Sequence, residues 1–431
     1  MKFYLISLGC AKNLVDSEKI TERLQKESYF ITDDINEASF IFINTCGFIK
    51  EAKQESIDTI FTVLEEKPQH AKILVYGCLA QRYLKELKKL IPEIDLFLPL
   101  LPHDELIKEI KRHVTAQRKL RCKLQKRIVF TPPSYTYIKI SEGCSNSCSY
   151  CAIPVIRGHL KSCPVENIIS QIKNALDKGY YEINLIAQDI TAYGTDLYGK
   201  PSLNVLLKKV LSIKKDFWLR LLYLHPSRIS SELVKIIMSD SRIVKYLDIP
   251  IQHVNNRILK LMNRFYTKDL LIDKIGMLRE KIPSIALRTS LIAGFPTENE
   301  EDFQELLDFV RTIKFAHLGV FEYSREEDTK ASSLKPLVPT AAKEKRKKII
   351  MKAQKDIVKL NNKTLQGKVF PCIVELPVDE YGCIWTGRIY SQAPEVDGLV
   401  YVTGYEKTMG NITNVSIKGF KDYDLTAECI R

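Results

Sequence analysis

The chain has no apolar run of eighteen residues, the length a membrane-spanning helix needs, so no span is expected. Its first ten residues, Met1-Lys2-Phe3-Tyr4-Leu5-Ile6-Ser7-Leu8-Gly9-Cys10, lack the long apolar stretch and small-residue cleavage site of a secretory leader. They read instead as a buried strand. The cysteines number eleven, and an odd set in so large a chain argues against a disulfide framework. A cytoplasmic protein with reduced thiols is the expectation. What is present is ordinary for a soluble globular molecule, with 45% hydrophobic and 27% charged residues. At 431 residues the chain exceeds one ordinary core and should form two or three domains.

The densest chemical signal is Gly143-Cys144-Ser145-Asn146-Ser147-Cys148-Ser149-Tyr150-Cys151-Ala152-Ile153-Pro154. The spacing is Cys-x3-Cys-x2-Cys, with an aromatic residue just before the last thiol. Three thiolates on so short a loop can hold three corners of a cubic 4Fe–4S cluster and leave the fourth iron without a protein ligand. Such clusters usually take four cysteines, so an open iron implies a ligand from outside the chain. The arrangement resembles the radical S-adenosylmethionine (SAM) enzymes. That resemblance implies that the amine and carboxylate of SAM occupy the open corner, and that one electron from the cluster releases a 5′-deoxyadenosyl radical. A structural zinc site completed by Cys163 or His159 is the competing reading. Zinc sites typically pair cysteines from two separated knuckles, and no second knuckle follows here.

The first hundred residues alternate strand and helix signals. Short apolar runs at 3–8, 40–44 and 72–76 read as buried parallel strands, and helical patterns follow at 14–26, 49–64 and 80–90. An open, doubly wound sheet is expected. Its strands end in Leu8-Gly9-Cys10, Thr45-Cys46-Gly47 and Tyr76-Gly77-Cys78. Ligands of such sheets sit outside the carboxyl ends of the strands, so Cys10, Cys46 and Cys78 should converge there, each beside a glycine that lets backbones come close. A buried structural role is the bland alternative for any one of them. For the three together, a second cluster with three protein ligands and an open iron is the sharper reading.

Between about 126 and 359 the pattern repeats six times, with candidate strands at 135–141, 182–187, 218–223, 245–249, 286–292 and 317–323. The radical SAM resemblance implies a partial (β/α)6 barrel with its site at the carboxyl ends of the strands, the end that carries catalysis in a complete barrel. The cysteine loop follows the first strand, as that layout requires. The same resemblance implies that Tyr150 lies over the adenine end of SAM by apolar contact. Gln188 and Asp189, after the second strand, are candidates to hydrogen-bond the SAM amine or a peptide substrate. Arg288 is a candidate cofactor contact, as partner for a carboxylate. His225 and His253 also fall at strand ends, where a structural role is the commoner outcome. Cys122, Cys372, Cys383 and Cys429 lack metal-ligand spacing and read as structural.

A three-cysteine N-terminal domain, a Cys-x3-Cys-x2-Cys core and a small β-rich tail together resemble the methylthiotransferase family, over essentially the whole chain. Ser7-Leu8-Gly9-Cys10-Ala11-Lys12-Asn13-Leu14-Val15-Asp16-Ser17-Glu18 resembles the branch that modifies a ribosomal protein. The tRNA-modifying branch usually has Gly-Cys-Gln-Met-Asn there. Asn44-Thr45-Cys46-Gly47-Phe48-Ile49, Ser141-Glu142-Gly143-Cys144 and Ala187-Gln188-Asp189-Ile190-Thr191-Ala192-Tyr193-Gly194 match the same branch. One departure is Ser162-Cys163-Pro164 where the family usually has Ser-Arg-Pro, which puts one charge contact in doubt.

The resemblance implies an α/β protein of three domains. These are a doubly wound N-terminal domain (1–120), a partial (β/α)6 radical SAM barrel (126–359) and a small C-terminal antiparallel β-barrel resembling a TRAM domain (363–431). It implies two 4Fe–4S clusters, one on Cys10, Cys46 and Cys78 and one on Cys144, Cys148 and Cys151, with SAM as cofactor. The product would carry a methylthio group on the β-carbon of an aspartate in small-subunit ribosomal protein twelve; a tRNA adenosine is the alternative target. A low-potential electron donor such as flavodoxin or ferredoxin, and a sulfur donor, complete the expected partners. A methylase without radical steps would need a glycine-rich Rossmann-type loop, and none is present.

The net charge of +13 suggests a nucleic-acid or ribosome partner. Residues 1–120 hold 18 basic and 18 acidic side chains, residues 121–362 hold 40 and 25, and the rest hold seven and nine. An RNA-gripping tail should be basic, so a mildly acidic one suits a basic protein partner better, with RNA contact left to the basic core. The basic run at 343–348 is expected on a solvated helix leading to the tail.

Overall fold

A computed structural model describes residues 1–114, 130–406 and 409–430. The junction expected between 120 and 126, and Cys122 with it, lie outside the described residues. Two compact units are resolved, one of Met1–Phe130, Gly143–Ser145 and Ala152–His159, the other of Thr131–Glu142, Asn146–Cys151 and Leu160–Arg431.

In the first unit, strands β1 (Lys2–Ser7), β2 (Phe30–Ile31), β3 (Phe40–Thr45), β4 (Lys72–Gly77) and β5 (Leu96–Leu98) form a parallel sheet in the order β2-β1-β3-β4-β5. The sequence Phe40-Ile41-Phe42-Ile43 does not alternate because helices cover both faces. Helices α1 (Ala11–Lys26) and α4 (His103–His113) lie on one face, where Phe3, Phe40 and Phe42 meet Leu24, Leu106 and Ile110. Helices α2 (Lys50–Glu66) and α3 (Cys78–Leu90) cover the other, where Ile41, Ile43 and Val75 meet Ile60, Val63 and Leu87. The strand order reverses between β1 and β3, and a crevice opens at the carboxyl ends of such a pair.

The second unit begins with β6 (Tyr135–Lys139). A short antiparallel ladder, β7 (Ser141–Glu142) with β8 (Lys161–Ser162), follows Ile140. Strands β9 (Glu182–Ile186), β10 (Trp218–Leu221), β11 (Ile243–Asp248), β12 (Ala286–Ala293) and β13 (His317–Glu322) then join β6 in chain order, all parallel. The sheet stays open, as a partial barrel should. Its apolar side chains, Leu185, Leu219, Leu247 and Leu287 among them, share one core with Ile172, Leu206, Ile237 and Leu306 of the covering helices.

The tail closes as a five-stranded barrel of β14 (Val369–Pro377), β15 (Ile384–Ile389), β16 (Val400–Thr403), β17 (Ile412–Lys421) and β18 (Asp424–Cys429), in the ring order β14-β15-β16-β18-β17. The expected antiparallel barrel needs one correction, since β16 and β18 pair in parallel. An odd ring of strands cannot alternate direction all the way round, so one parallel pair is forced.

Buried charges join this barrel to the amino-terminal ends of the core strands. Arg388, 1% exposed, lies 2.7 Å from both Glu182 of β9 and Glu375 of β14, and Arg220 of β10 donates to Glu182 at 2.6 Å. The Tyr246 hydroxyl donates to Asp397 at 2.7 Å, and Arg288 reaches the same carboxylate at 3.1 Å. Two of the acids behind the tail's negative balance, Glu375 and Asp397, are therefore spent inside the joint. The basic run at 343–348 lies on the helix Thr340–Lys363 but is not wholly solvated. Arg346 is buried and donates to Glu298 at 2.8 Å. No helix among the described residues is long and apolar enough to cross a membrane.

Candidate functional site

Cys10, Cys46 and Cys78 follow β1, β3 and β4, three neighbouring strands, at their carboxyl ends. A side chain on Gly9, whose φ is +88°, would stand 2.7 Å from Cys46 Cβ and 2.9 Å from its Sγ. One on Gly77, with φ of +113°, would stand 2.5 Å from the Thr45 carbonyl oxygen. Only glycine allows these turns to close on one another. Burial pushes the Cys46 thiol up to about 12 and raises that of Cys78 as well. Such thiols are poor nucleophiles, because it is the thiolate that reacts. As ligands they surrender the proton to a metal.

A polar floor holds this edge. Asn13 Nδ2 donates to the carbonyls of Leu8 at 2.9 Å and Thr45 at 3.2 Å. Asn44 Nδ2 donates to the Asn13 carbonyl at 2.9 Å and to Ser17 Oγ at 2.8 Å. Ser56 Oγ accepts from the Cys46 amide at 3.0 Å and donates to the Cys46 carbonyl at 2.9 Å. Sequence reasoning missed these residues, although a signal existed: the buried face of α1 carries Asn13, Asp16, Ser17, Glu18 and Thr21 where a helix packed on a sheet normally presents apolar residues.

The second trio sits on the loop after β6 and β7. Gly143 has φ of +66°, a side chain there would meet the His159 carbonyl oxygen at 2.2 Å, and the Cys144 amide donates to the Gly158 carbonyl at 3.1 Å. In the second unit, Asn146–Cys151 is pinned from several sides. The Ser149 amide donates to the Met262 carbonyl at 3.0 Å, and Ser149 Oγ to the Leu261 carbonyl at 2.6 Å. Asn263 Nδ2 donates to the Ser147 carbonyl at 2.6 Å. Arg264, itself fixed by the Pro250 carbonyl at 2.7 Å, points a guanidinium nitrogen at Cys148 Sγ across 3.6 Å. Asn263 and Arg264 lie more than a hundred residues from the loop, and no local pattern marks them.

Among the described residues, no three His, Cys, Asp or Glu side chains converge tightly enough to surround one ion. A cubic cluster binds each thiolate on a different iron, so its ligands stand further apart than those of a single zinc. Both trios fit that donor set in residue type. Cys163, offered above as a fourth zinc ligand, packs against the hydrophobic core, with its amide on the Ile140 carbonyl at 2.8 Å.

The remaining expected residues divide. Tyr150 packs into an apolar cluster of Ile258, Met262, Ile292, Phe295 and Tyr323. Gln188 donates to Glu142 at 3.3 Å, while its buried side-chain oxygen has no partner among the described residues; a buried acceptor in that state invites a donor from outside the chain. Asp189 is committed within the protein. Its carboxylate accepts from the Thr191 amide at 2.9 Å, from Asn146 Nδ2 at 2.8 Å and from Arg228 at 2.6 Å, so it anchors the cysteine loop. Arg288 requires correction as a cofactor contact. It is the third residue of β12, toward the amino end, and its guanidinium already faces Asp397 at 3.1 Å and Asp248 at 3.6 Å. His225 Nδ1 lies 2.8 Å from Ser227 Oγ, and burial lowers its imidazole to about 2, so it stays neutral. His253 is fully buried, with Nδ1 accepting from the Asn255 amide at 3.0 Å. Tyr223 and Gln252, just past β10 and β11, both hold φ of +66°, a strained conformation that collects at functional rims.

Comparison with known proteins gives matches along the chain. Residues 2–99 match the uncharacterized protein family UPF0004, residues 138–310 the radical SAM superfamily and residues 367–430 the TRAM domain. The ribosomal protein uS12 methylthiotransferase RimO of Acetivibrio thermocellus is 44% identical over 446 residues, covering 100% of this chain and 98% of that protein. The protein of the same name from Geobacter sulfurreducens is 44% identical over 440 residues, with 100% and 98% covered. Among solved structures, the radical SAM methyltransferase TsrM from Kitasatospora setae, bound to tryptophan and a SAM analogue, superposes with a TM-score of 0.56. It is 12% identical and covers 74% of this chain and 72% of its own, a likeness of fold alone.

Proposed function

We propose that this chain, which belongs to the RimO family of ribosomal protein uS12 methylthiotransferases, adds a methylthio group to the β-carbon of an aspartate in small-subunit ribosomal protein twelve. The observation that carries the reading is one donor set built twice, with three cysteines at the ends of β1, β3 and β4 and three on the loop after β6. When bound, two 4Fe–4S clusters and SAM would relay the donor's electron, form the hydrogen-abstracting radical, give the methyl group and carry the donor's sulfur, chemistry the side chains lack.

The chain's own part is to bind, orient and exclude. Cys144, Cys148 and Cys151 hold the cluster that faces SAM, and Asp189, Arg228 and Asn263 keep their loop in place. Tyr150 would offer an apolar surface to the adenine, and the Gln188 oxygen would accept from the SAM amine. Cys10, Cys46 and Cys78 would hold the second cluster, which would supply the sulfur-transfer chemistry. A low-potential electron donor such as flavodoxin or ferredoxin, a sulfur donor and a cytoplasmic setting belong to the same reading.

A tRNA adenosine as target keeps one observation in its favour, the burial of Glu375 and Asp397 in the joint, which leaves the tail less acidic than its composition suggests. The run Cys10-Ala11-Lys12-Asn13 weighs against it. Anaerobic incubation with SAM, a reductant and either ribosomal protein twelve or tRNA decides between them. A gain of about 46 Da on the protein is expected from replacement of hydrogen by methylthio through the cofactor-driven step. That gain on tRNA alone would move the assignment to the second reading.

A further inference from the structure

Arg157 ends the short helix α5 (Ile153–Arg157), six residues beyond Cys151 in the sequence, yet its side chain belongs to the other trio. Ala152 and Ile156 pack beside Cys78 within the first unit. The guanidinium pairs with Asp16 at 3.0 Å, with the two side chains 4% and 7% exposed, and donates to Asn13 Oδ1. It also hydrogen-bonds the Cys78 thiol. A buried cation is costly unless it is paired and hydrogen-bonded, and here two anchors from α1 hold it against a cysteine.

Three thiolates bring three negative charges to a site where Cys46 and Cys78 have little water to stabilise them. A fixed guanidinium beside the thiolates favours the more negative of two charge states, and polar groups around metal ligands tune both affinity and potential. We infer that Arg157 is a positioning residue for the Cys10/Cys46/Cys78 centre, held by Asp16 and Asn13 so that its charge offsets the thiolates and sets how tightly iron is bound and at what potential the centre is reduced. The inference rests on the proposed reading of that trio as a cluster site. It gives one continuous segment, from Cys144 to Arg157, a part in both metal sites.

The test uses the full chain with Cys144, Cys148 and Cys151 all replaced by Ala, so that the first centre alone reports. After anaerobic reconstitution, iron affinity is measured by chelator competition and reduction by a redox titration followed by electron paramagnetic resonance. Arg157→Gln should bind iron about ten- to a hundredfold more weakly and be reduced at a lower potential, while Arg157→Lys should recover most of both. Asp16→Asn, which removes the neighbouring anion, should shift the potential upward, opposite in sign to Arg157→Gln. Unchanged affinity and potential in Arg157→Gln, or shifts of the same sign in both variants, would overturn the inference. Should Arg157→Gln fail to fold, the Asp16→Asn titration decides: a rise supports the charge role, and no shift or a fall removes it. If the parent with native Arg157 holds no iron, it is the cluster reading that fails.

Discussion

The first cysteine trio is gathered from positions 10, 46 and 78 on three strands, and the second from positions 144, 148 and 151 on a single loop. In the first, the sheet does the gathering. Pairing of β1 with β3 and of β3 with β4 fixes the strand ends, so the thiols need only tight turns, supplied by Gly9 and Gly77. In the second, proximity in sequence comes without rigidity, and hydrogen bonds to Asp189 and Met262 and from Arg228 and Asn263 supply what regular structure does not. A trio set by the fold should break through packing, and a trio set by a loop through its polar anchors.

The largest effect divides the chemistry. Cys148→Ala should abolish SAM cleavage and leave roughly half the iron, four of the eight atoms that two cubes hold. Cys46→Ala should still form some 5′-deoxyadenosine but no methylthio product; persistence of that product would erase the distinction between the sites.

Next in size is a change at the first residue of β9. Glu182 is buried, which opposes its charge, yet Arg220 and Arg388 outweigh the burial and lower its pKa. Glu182→Gln should cost about 3–5 kcal/mol in urea unfolding at pH 7, because it takes the carboxylate from buried Arg220 and leaves buried Arg388 with Glu375 alone. Its folded-state pKa lies below the unfolded value, so the native contribution is full above about pH 4.3. It drains as pH falls through the lowered value, and the gap between variant and native should close in acid. Iron content should not change.

Gly77→Ala sets a Cβ against the Thr45 carbonyl with φ of +113°. It should destabilise the first unit by about 2–4 kcal/mol, with first-centre iron lost alongside. Asn146→Ala should leave unfolding within about 0.5 kcal/mol but slow SAM cleavage about ten- to a hundredfold. If Asn146→Ala instead unfolds the chain, or Gly77→Ala is silent, the contrast between fold-held and loop-held trios fails.

The long core strands were legible because continuous apolar runs and helical periodicity are local signals, while the short β2 and β5 were not; the placing of three cysteines at neighbouring strand ends follows from parallel topology. The parallel β16–β18 pair was not, since it arises from closing an odd ring. Arg288 misled for a related reason: its place in the strand could be counted, but its pairing with Asp397, 109 residues away, could not. Asn263, Arg264 and Arg157 act at a distance in sequence and carry no motif. Asp189 was found at the right place with a different task, because only its neighbours reveal that its oxygens are already occupied.

The most direct test of two independent three-thiolate centres is iron and sulfide content, with Mössbauer spectra, of the anaerobically reconstituted chain and of two variants. One replaces Cys10, Cys46 and Cys78 by Ala, the other Cys144, Cys148 and Cys151. About eight irons per native chain and about four in each variant, all as 4Fe–4S clusters, is the expected result. A native chain that binds zinc alone, or a variant whose loss of one trio empties both centres, would contradict it.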